Sequence, residues 1–221
     1  MNRKWYIITI AVVGLVIFLV TFSRGCRSKG ARALGISLAV PTADIQLIRT
    51  RAGEAAYFIR QHDFEDGFCI LADMHLHSGI RRMFVWDLKS DTIIRAFNVS
   101  HGCGSKVWSW DLTKNQPVFS NKDGSHCSSL GKYRIGERGY SQWGIHVKYA
   151  LHGLDKSNDH AFSRAIVLHS WDEITDDEVY PDGTPEGWGC PAVSNASMRF
   201  LDSCLKKVDK PVLLWQFDGS N

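Results

Sequence analysis

Short runs of β-branched and aromatic residues, separated by small or polar residues, constrain the fold of this chain most strongly. Met83–Leu88 and Thr92–Val99 are two such runs, and the polar residues 89–91 between them suit a turn. Runs of this length, broken by Gly, Ser, Asn or Asp, are typical of strands and hairpins. Further strands are predicted at 67–73, 132–136, 144–151, 165–169 and 212–217. The chain is therefore expected to be mainly β.

Two helices are predicted beside these strands. In segment 42–61 the apolar residues recur at helical spacing, and Thr42 is suited to cap the first turn. A second helix is predicted over 195–207, with Ser194 or Asn195 as its N-cap. Its positive N-terminal end follows Cys190 closely in sequence, and we expect it to help hold a thiolate.

An uncharged apolar run, Trp5–Phe22, lies near the start of the chain. As a helix it is long enough to cross a bilayer, or nearly so, and it is longer than the apolar part of a usual signal peptide. We interpret residues 1–23 as a membrane anchor and residues 24–40 as a basic juxtamembrane linker, with a cleaved signal peptide as the alternative. Basic residues after the run outnumber those before it, so the positive-inside rule by itself favours a cytoplasmic C-terminal part.

Charge and metal-ligand patterns exclude some partners. The formal net charge is only +3, and no basic stripe with interleaved aromatic residues is present, so nucleic acid is not expected as a partner. His75 and His77 alternate with Asp73 as zinc ligands on one strand face would, but no zinc motif accompanies them. We predict neither a metal nor a cofactor.

The chain contains six cysteines. Cys26 lies beside the predicted anchor, and Cys190 has a context of its own. The other four allow three disulfide pairings, or they are buried free thiols that pack as small apolar residues. These four are Cys69, Cys103, Cys127 and Cys204.

A histidine that ends an apolar strand, His169, and a cysteine between glycine and proline, Cys190, carry the chemistry. A thiol attacks a carbonyl as its thiolate, and a nearby imidazole takes the proton and leaves a reactive ion pair. Glycine at 187 and at 189 permits a tight turn with exposed backbone N–H groups, so Gly189 is predicted to belong to an oxyanion site. The second ring nitrogen of the imidazole needs an orienting partner, for which Ser170 or a backbone carbonyl is suited.

Motifs in a fixed order resemble one protein family. They are Ser100–Gly102, Phe119–Asn121, Cys127–Ile135, Gly153–Asp155, His169–Ser170 and Trp188–Ser194. This order is similar to that of the murein L,D-transpeptidase catalytic-domain-like proteins, within the YkuD-like L,D-transpeptidase superfamily. The resemblance implies one β-sandwich or barrel-like catalytic domain over residues 41–221, with a few peripheral helices. Better-known members carry an arginine two residues after the cysteine, where this chain has Ala192.

The resemblance also implies an activity. Cys190 would form a thioester with a peptidoglycan stem peptide and release a terminal D-residue, and an acceptor amine would then resolve the thioester. With water as acceptor the enzyme would be an L,D-carboxypeptidase, and a non-catalytic peptidoglycan-binding domain is a further alternative. The domain would face the periplasm from the bacterial inner membrane. The side chains that the resemblance assigns to substrate binding are Trp188, His101, Tyr133, Ser129 and Asn121.

Overall fold

The structure, a computed structural model, describes residues 40–219. The predicted anchor, and the predicted linker apart from Val40, lie outside the described residues. Within residues 40–219, no helix is long and apolar enough to cross a membrane.

Eight strands form one mixed sheet, which confirms the mainly β prediction. In sheet order the strands run β3-β2-β1-β8-β4-β5-β6-β7, and neighbours are antiparallel except for the parallel pairs β1–β8 and β6–β7. The strands are β1 (Phe68–Asp73), β2 (Met83–Asp87), β3 (Thr92–Phe97), β4 (Gly131–Tyr140), β5 (Val147–Gly153), β6 (Val167–Ser170), β7 (Ala192–Val193) and β8 (Leu213–Phe217). Only β7 has no counterpart among the predicted strands, because two residues are too few to form a hydrophobic pattern.

The sheet is barrel-like because the chain beyond β3 reaches the opposite edge. Ser100 donates its backbone N–H to the carbonyl of Ala192 on β7 at 2.9 Å, and its hydroxyl accepts from the Ala192 N–H at 3.1 Å. Cys103 and Gly187 continue this contact, since the Cys103 N–H donates to the Gly187 carbonyl at 2.9 Å. Both edges of the sheet are thereby brought together next to Cys190.

Helix α1 (Ile45–Gln61) covers one face of the sheet. It begins after Asp44, whose carboxylate accepts from two backbone N–H groups, so Asp44 is the N-cap and not Thr42 as predicted. Its buried residues Ile48, Ala52, Ala55 and Ile59 belong to the apolar cluster that contains Leu71 and Trp86 from the sheet. The neighbouring positions Ile70 and Val85 face a second cluster on the other side. Burial on both faces explains why these strands are almost continuously apolar.

Helix α2 (Asn195–Leu205) packs into that second cluster through Met198, Leu201 and Leu205. Ser194 is its N-cap, and its hydroxyl accepts from the Ser197 N–H at 3.0 Å. The carboxylate of Asp176 lies at this helix end and accepts from the hydroxyls of Ser194 and Ser197. A carboxylate therefore already lies at the helix end that was expected to help hold the Cys190 thiolate.

The described cysteines are all free thiols, namely Cys69, Cys103, Cys127, Cys190 and Cys204. The structure thus favours free thiols over disulfide pairing. His75 and His77 lie in the turn after β1 and not on one strand face. The His77 ring is buried and accepts from the backbone N–H of Gly79 at 2.9 Å, which gives it a local structural role.

Candidate active site

Three adjacent strands position the histidine. His169 lies on β6, directly opposite Lys148 on β5 and Ala192 on β7. Cys190 is two residues before Ala192, so strand pairing brings it to the same region. Cys190 and His169 line the same two cavities, and these two predicted residues are therefore brought together.

The imidazole of His169 is oriented by a backbone carbonyl. Its Nδ1 lies 2.9 Å from the carbonyl oxygen of Ser170, so Nδ1 donates and carries the proton in the neutral ring. Nε2 is then the nitrogen that is free to act as a base. The prediction named Ser170 or a backbone carbonyl, and the Ser170 carbonyl fills both descriptions. The Ser170 hydroxyl has another task, since it accepts from the Ile145 N–H at 2.9 Å.

The thiol of Cys190 is half-buried between two backbone groups. Sγ accepts from the N–H of Val167 at 3.4 Å and donates to the carbonyl of Ala165 at 3.8 Å. Burial raises the pKa of the Cys190 thiol, while the Val167 N–H and the charges of Arg164 and Lys148 oppose this shift. Burial also lowers the pKa of His169, and the charge of Lys148 adds to that effect. Both shifts favour the neutral thiol and the neutral imidazole over the expected ion pair.

The turn before the thiol is shaped for an oxyanion. Gly189 has φ +103°, and a Cβ there would lie 2.4 Å from the carbonyl oxygen of Cys127, so only glycine fits. Within residues 40–219, the backbone N–H groups of Gly189 and Cys190 have no hydrogen-bond acceptor. Free N–H groups beside a nucleophile are what stabilisation of a tetrahedral oxyanion requires.

A buried serine that was not among the predicted site residues orients one of these N–H groups. The Ser128 hydroxyl donates to the Gly189 carbonyl oxygen at 3.1 Å and accepts from the Gly102 N–H at 3.1 Å. Because a peptide group is planar, fixing the Gly189 carbonyl also fixes the direction of the Cys190 N–H. The sequence signal for Ser128 was its place in a matched motif, which does not reveal which group it contacts.

One cavity beside the thiol is lined by indole rings. We call it the tryptophan cavity; its volume is about 340 Å³, and its lining includes Trp108, Trp143, Trp171 and Trp188 with His169 and Cys190. Trp108 is stacked on Trp171, with ring centroids 5.7 Å apart and an interplanar angle of 5°. Trp188, the predicted substrate contact, is 58% exposed and lines this cavity. The other three tryptophans come from separate loops and had no shared signal in the sequence.

The second cavity has a different chemistry. We call it the lysine cavity; its volume is about 410 Å³, and Lys148 and Tyr140 are among its lining residues. Apart from His169, Lys148 is its one titratable cationic side chain, and it contains no carboxylate. The two cavities meet at four shared residues, Gln142, Trp143, His169 and Cys190. The thiol and the imidazole thus stand at the boundary between an aromatic space and a cationic one.

Four predicted substrate contacts lie elsewhere. His101, Tyr133 and Ser129 are buried and line neither cavity, and Asn121 binds Asp159 and the Lys156 carbonyl outside both. The Tyr133 hydroxyl donates to the Ser129 carbonyl at 2.6 Å. The structure gives these side chains packing and positioning roles in place of the predicted substrate contact, because each polar group is satisfied within the protein.

His101 belongs to a buried polar chain that supports the turn before Cys190. Arg82 donates to Nδ1 of His101 at 2.8 Å, and Nε2 of His101 lies 2.9 Å from the hydroxyl of Thr113. Thr113 in turn donates to the carboxylate of Glu186 through its N–H and its hydroxyl. Burial lowers the pKa of His101, which keeps its ring neutral. The carbonyl of His101 also accepts from the Gly187 N–H at 2.8 Å. This chain fixes the start of the segment that carries the thiol.

The geometry of the site suits covalent acyl transfer. It combines a thiol nucleophile, an oriented imidazole and free backbone donors at the junction of two cavities. Among residues 40–219, no cluster of three or more His, Cys, Asp or Glu side chains is placed to hold a metal ion.

Comparison with known proteins gives one strong match. Residues 40–214, most of the chain, match the sequence model of a family described as the L,D-transpeptidase catalytic domain. No curated protein matches the chain.

The solved structures that match the chain are distant from it in sequence. The helical cell shape determining protein Pgp2 from Campylobacter jejuni shares 14% identity with a TM-score of 0.43, and the match covers 78% of this chain and 57% of that one. An L,D-transpeptidase from Xylanimonas cellulosilytica shares 14% identity with a TM-score of 0.37, covering 74% of this chain and 68% of that one. The match thus spans little more than half the length of Pgp2.

Proposed function

Since this chain belongs to the L,D-transpeptidase catalytic-domain family, we propose that it catalyses cysteine-dependent acyl transfer on peptidoglycan stem peptides. One observation carries the proposal. Cys190 and His169 share both cavities, and the free N–H groups of Gly189 and Cys190 lie at the same point. A binding domain without chemistry would not need an oriented imidazole beside a thiol and unsatisfied backbone donors.

In the first step, Nε2 of His169 takes the proton of the Cys190 thiol. The thiolate attacks the carbonyl that precedes the terminal D-residue of the donor, and the N–H groups of Gly189 and Cys190 stabilise the oxyanion. The amide C–N bond breaks as the imidazolium returns its proton to the leaving amine. A thioester and a free D-amino acid result.

In the second step, an acceptor amine attacks the thioester and loses a proton to His169. The C–S bond breaks, and the Cys190 thiolate is regenerated and then protonated. With water as acceptor the same steps give an L,D-carboxypeptidase. The two cavities that meet at the thiol offer room for the donor and for an acceptor amine.

Mass spectrometry of the intact protein tests this proposal. The described domain, wild type and Cys190→Ala, is mixed with a stem tetrapeptide that ends in D-alanine, and the small products are analysed in parallel. We expect a thioester adduct and released D-alanine with the wild type only. A folded wild type that binds the peptide without adduct or product would support the non-catalytic binding domain instead. Dimeric or hydrolysed products distinguish amine from water as the acceptor.

The cellular location follows from the proposed substrate. Residues 1–23 are proposed to anchor the protein in the inner membrane, with the catalytic domain, residues 41–221, in the periplasm where peptidoglycan lies. The uncharged run Trp5–Phe22 supports the anchor. Protease added to spheroplasts that express the full chain should digest the catalytic domain. Protection of the domain until the cells are lysed would overturn this topology.

A further inference from the structure

We infer that Lys148 binds the α-carboxylate of the leaving D-residue and of the acceptor, so that the lysine cavity selects acceptor amines that carry a carboxylate on the same carbon. This inference rests on the proposed acyl transfer and names the chemistry of its acceptor.

The register of the sheet places Lys148 at the reaction centre. Lys148 on β5 lies directly opposite His169 on β6, and directly opposed residues on neighbouring strands have side chains close together on the same face. Lys148 lines the lysine cavity with His169 and Cys190. Its charge lowers the pKa of both groups, which shows that the ammonium lies within electrostatic reach of each.

The ammonium of Lys148 is free to bind a ligand. Arg164, the other cation that acts on Cys190, already donates from both of its terminal NH2 groups to protein acceptors on Ser120, Ser125, Cys127 and Ser129. Lys148, in contrast, has no ion pair or side-chain hydrogen bond in the part of the chain that the structure describes. An unpaired ammonium in a half-buried cavity without a carboxylate is suited to an anionic ligand group.

The chemistry of the donor locates that anionic group. The carboxylate of the terminal D-residue is separated from the breaking C–N bond by a single carbon. When the donor carbonyl lies at Cys190, we expect this carboxylate to lie in the lysine cavity at Lys148, which opposes His169. The tryptophan cavity, which has an aromatic lining without Lys148 and also meets the thiol, is left for the acyl part of the donor.

The acceptor must use the same position. Attack of an amine on the thioester is the reverse of the departure of the leaving amine, so the acceptor nitrogen approaches along the same path. An amine whose carbon also bears a carboxylate then repeats the contact of the leaving residue with Lys148. Free α-amino acids and the α-amino acid end of a diamino acid side chain have this structure, whereas a plain alkylamine and an amino acid amide lack it.

A comparison of two acceptors, one with and one without a carboxylate, tests the inference during turnover. Each protein is given a tetrapeptide donor together with deuterium-labelled D-alanine or deuterium-labelled D-alaninamide as the acceptor. The proteins compared are the wild type, Lys148→Met, Lys148→Arg and the exposed control Lys122→Met. We expect the wild type and Lys122→Met to favour the carboxylate acceptor at least about tenfold more than Lys148→Met does, because a charge-assisted contact is lost. Lys148→Arg should keep most of the preference. The ratio cancels any effect of the lost charge on Cys190 and His169, which acts on both acceptors alike.

A binding measurement keeps the inference testable without turnover. In the Cys190→Ala background, calorimetry compares the tetrapeptide with its C-terminal carboxamide. We expect about tenfold weaker binding of the carboxamide with Lys148 present and equal binding after Lys148→Met. Methionine keeps the apolar stem that packs beside Gly139, so the fold should persist. The same discrimination with and without Lys148, or none in either protein, overturns the inference. Absence of a thioester in the wild type would instead overturn the proposed function and leave this comparison valid.

Discussion

The hydroxyl of Ser128 donates to the carbonyl oxygen of Gly189 at 3.1 Å and thereby sets the peptide group whose N–H belongs to Cys190, the proposed nucleophile. Ser128 is fully buried and comes from the segment before β4, 61 residues before Gly189 in the chain. The proposed oxyanion donor, the Cys190 N–H, is therefore held by a contact between two distant segments. An oriented donor does not need to reorganise when negative charge develops, and this is the main source of its effect on rate.

Ser128→Ala should lower the rate of thioester formation about tenfold and change KM for the donor little, because the Cys190 N–H loses its fixed direction. Stopped reactions analysed by mass spectrometry give both constants. Ser163→Ala, an exposed serine whose hydroxyl makes only a local contact, is the matched control. An equal fall for both variants, or a change in KM alone, would contradict the assigned role.

Gly189→Ala should abolish thioester formation. For Gly187→Ala we expect a small effect, with an unfolding free energy within about 0.5 kcal/mol of that of the wild type. A Cβ at Gly189 meets the Cys127 carbonyl oxygen at 2.4 Å and strains a backbone with φ +103°, while a Cβ at Gly187 meets nothing within 4 Å. Chemical denaturation and the thioester assay check the pair. Similar behaviour of the two variants would show that the turn adapts.

Alkylation of Cys190 by iodoacetamide should be slower at pH 7 than that of a free cysteine in solution. Burial raises the pKa of this thiol, so the thiolate fraction at neutral pH is small. It increases only as the pH rises above the ordinary pKa range of cysteine thiols. Peptide mapping across pH 6 to about 10 measures the rate at this cysteine separately from the others. A rate that is already maximal at pH 7 would mean that the pair rests as an ion pair.

His101→Ala should reduce the unfolding free energy by about 2–4 kcal/mol, because it removes one buried hydrogen-bond partner from Arg82 and one from Thr113 and leaves a cavity in a buried polar chain. A substrate-binding role would instead raise KM for the donor and leave stability unchanged. Denaturant titration together with donor kinetics separates these outcomes. Trp188→Ala, which removes an exposed ring from the tryptophan cavity, is the comparison in which the effect on KM should dominate.

The local chemistry of the sequence was sufficient for much of the fold. The hydrophobic runs located seven of the eight strands, and the capping residue Ser194 and the amphipathic pattern of 42–61 located both helices. The glycines around Cys190 and the strand that ends in His169 pointed to a cysteine and a histidine that the structure brings to the same cavities. These inferences succeeded because each depends on neighbouring residues alone.

Contacts between distant segments were decided by the tertiary structure. A polar residue in a matched motif looks the same in sequence whether it faces substrate or a buried partner, which is why His101, Tyr133 and Ser129 were placed at the substrate. The indoles of the tryptophan cavity, the hydroxyl of Ser128 and the ammonium of Lys148 reach the thiol only when the sheet assembles and its edges meet. The sequence by itself determined the strands and the reactive pair, since these follow from local pattern and composition. The surroundings of that pair depend on strand order and register, which arise from long-range packing that no single segment specifies.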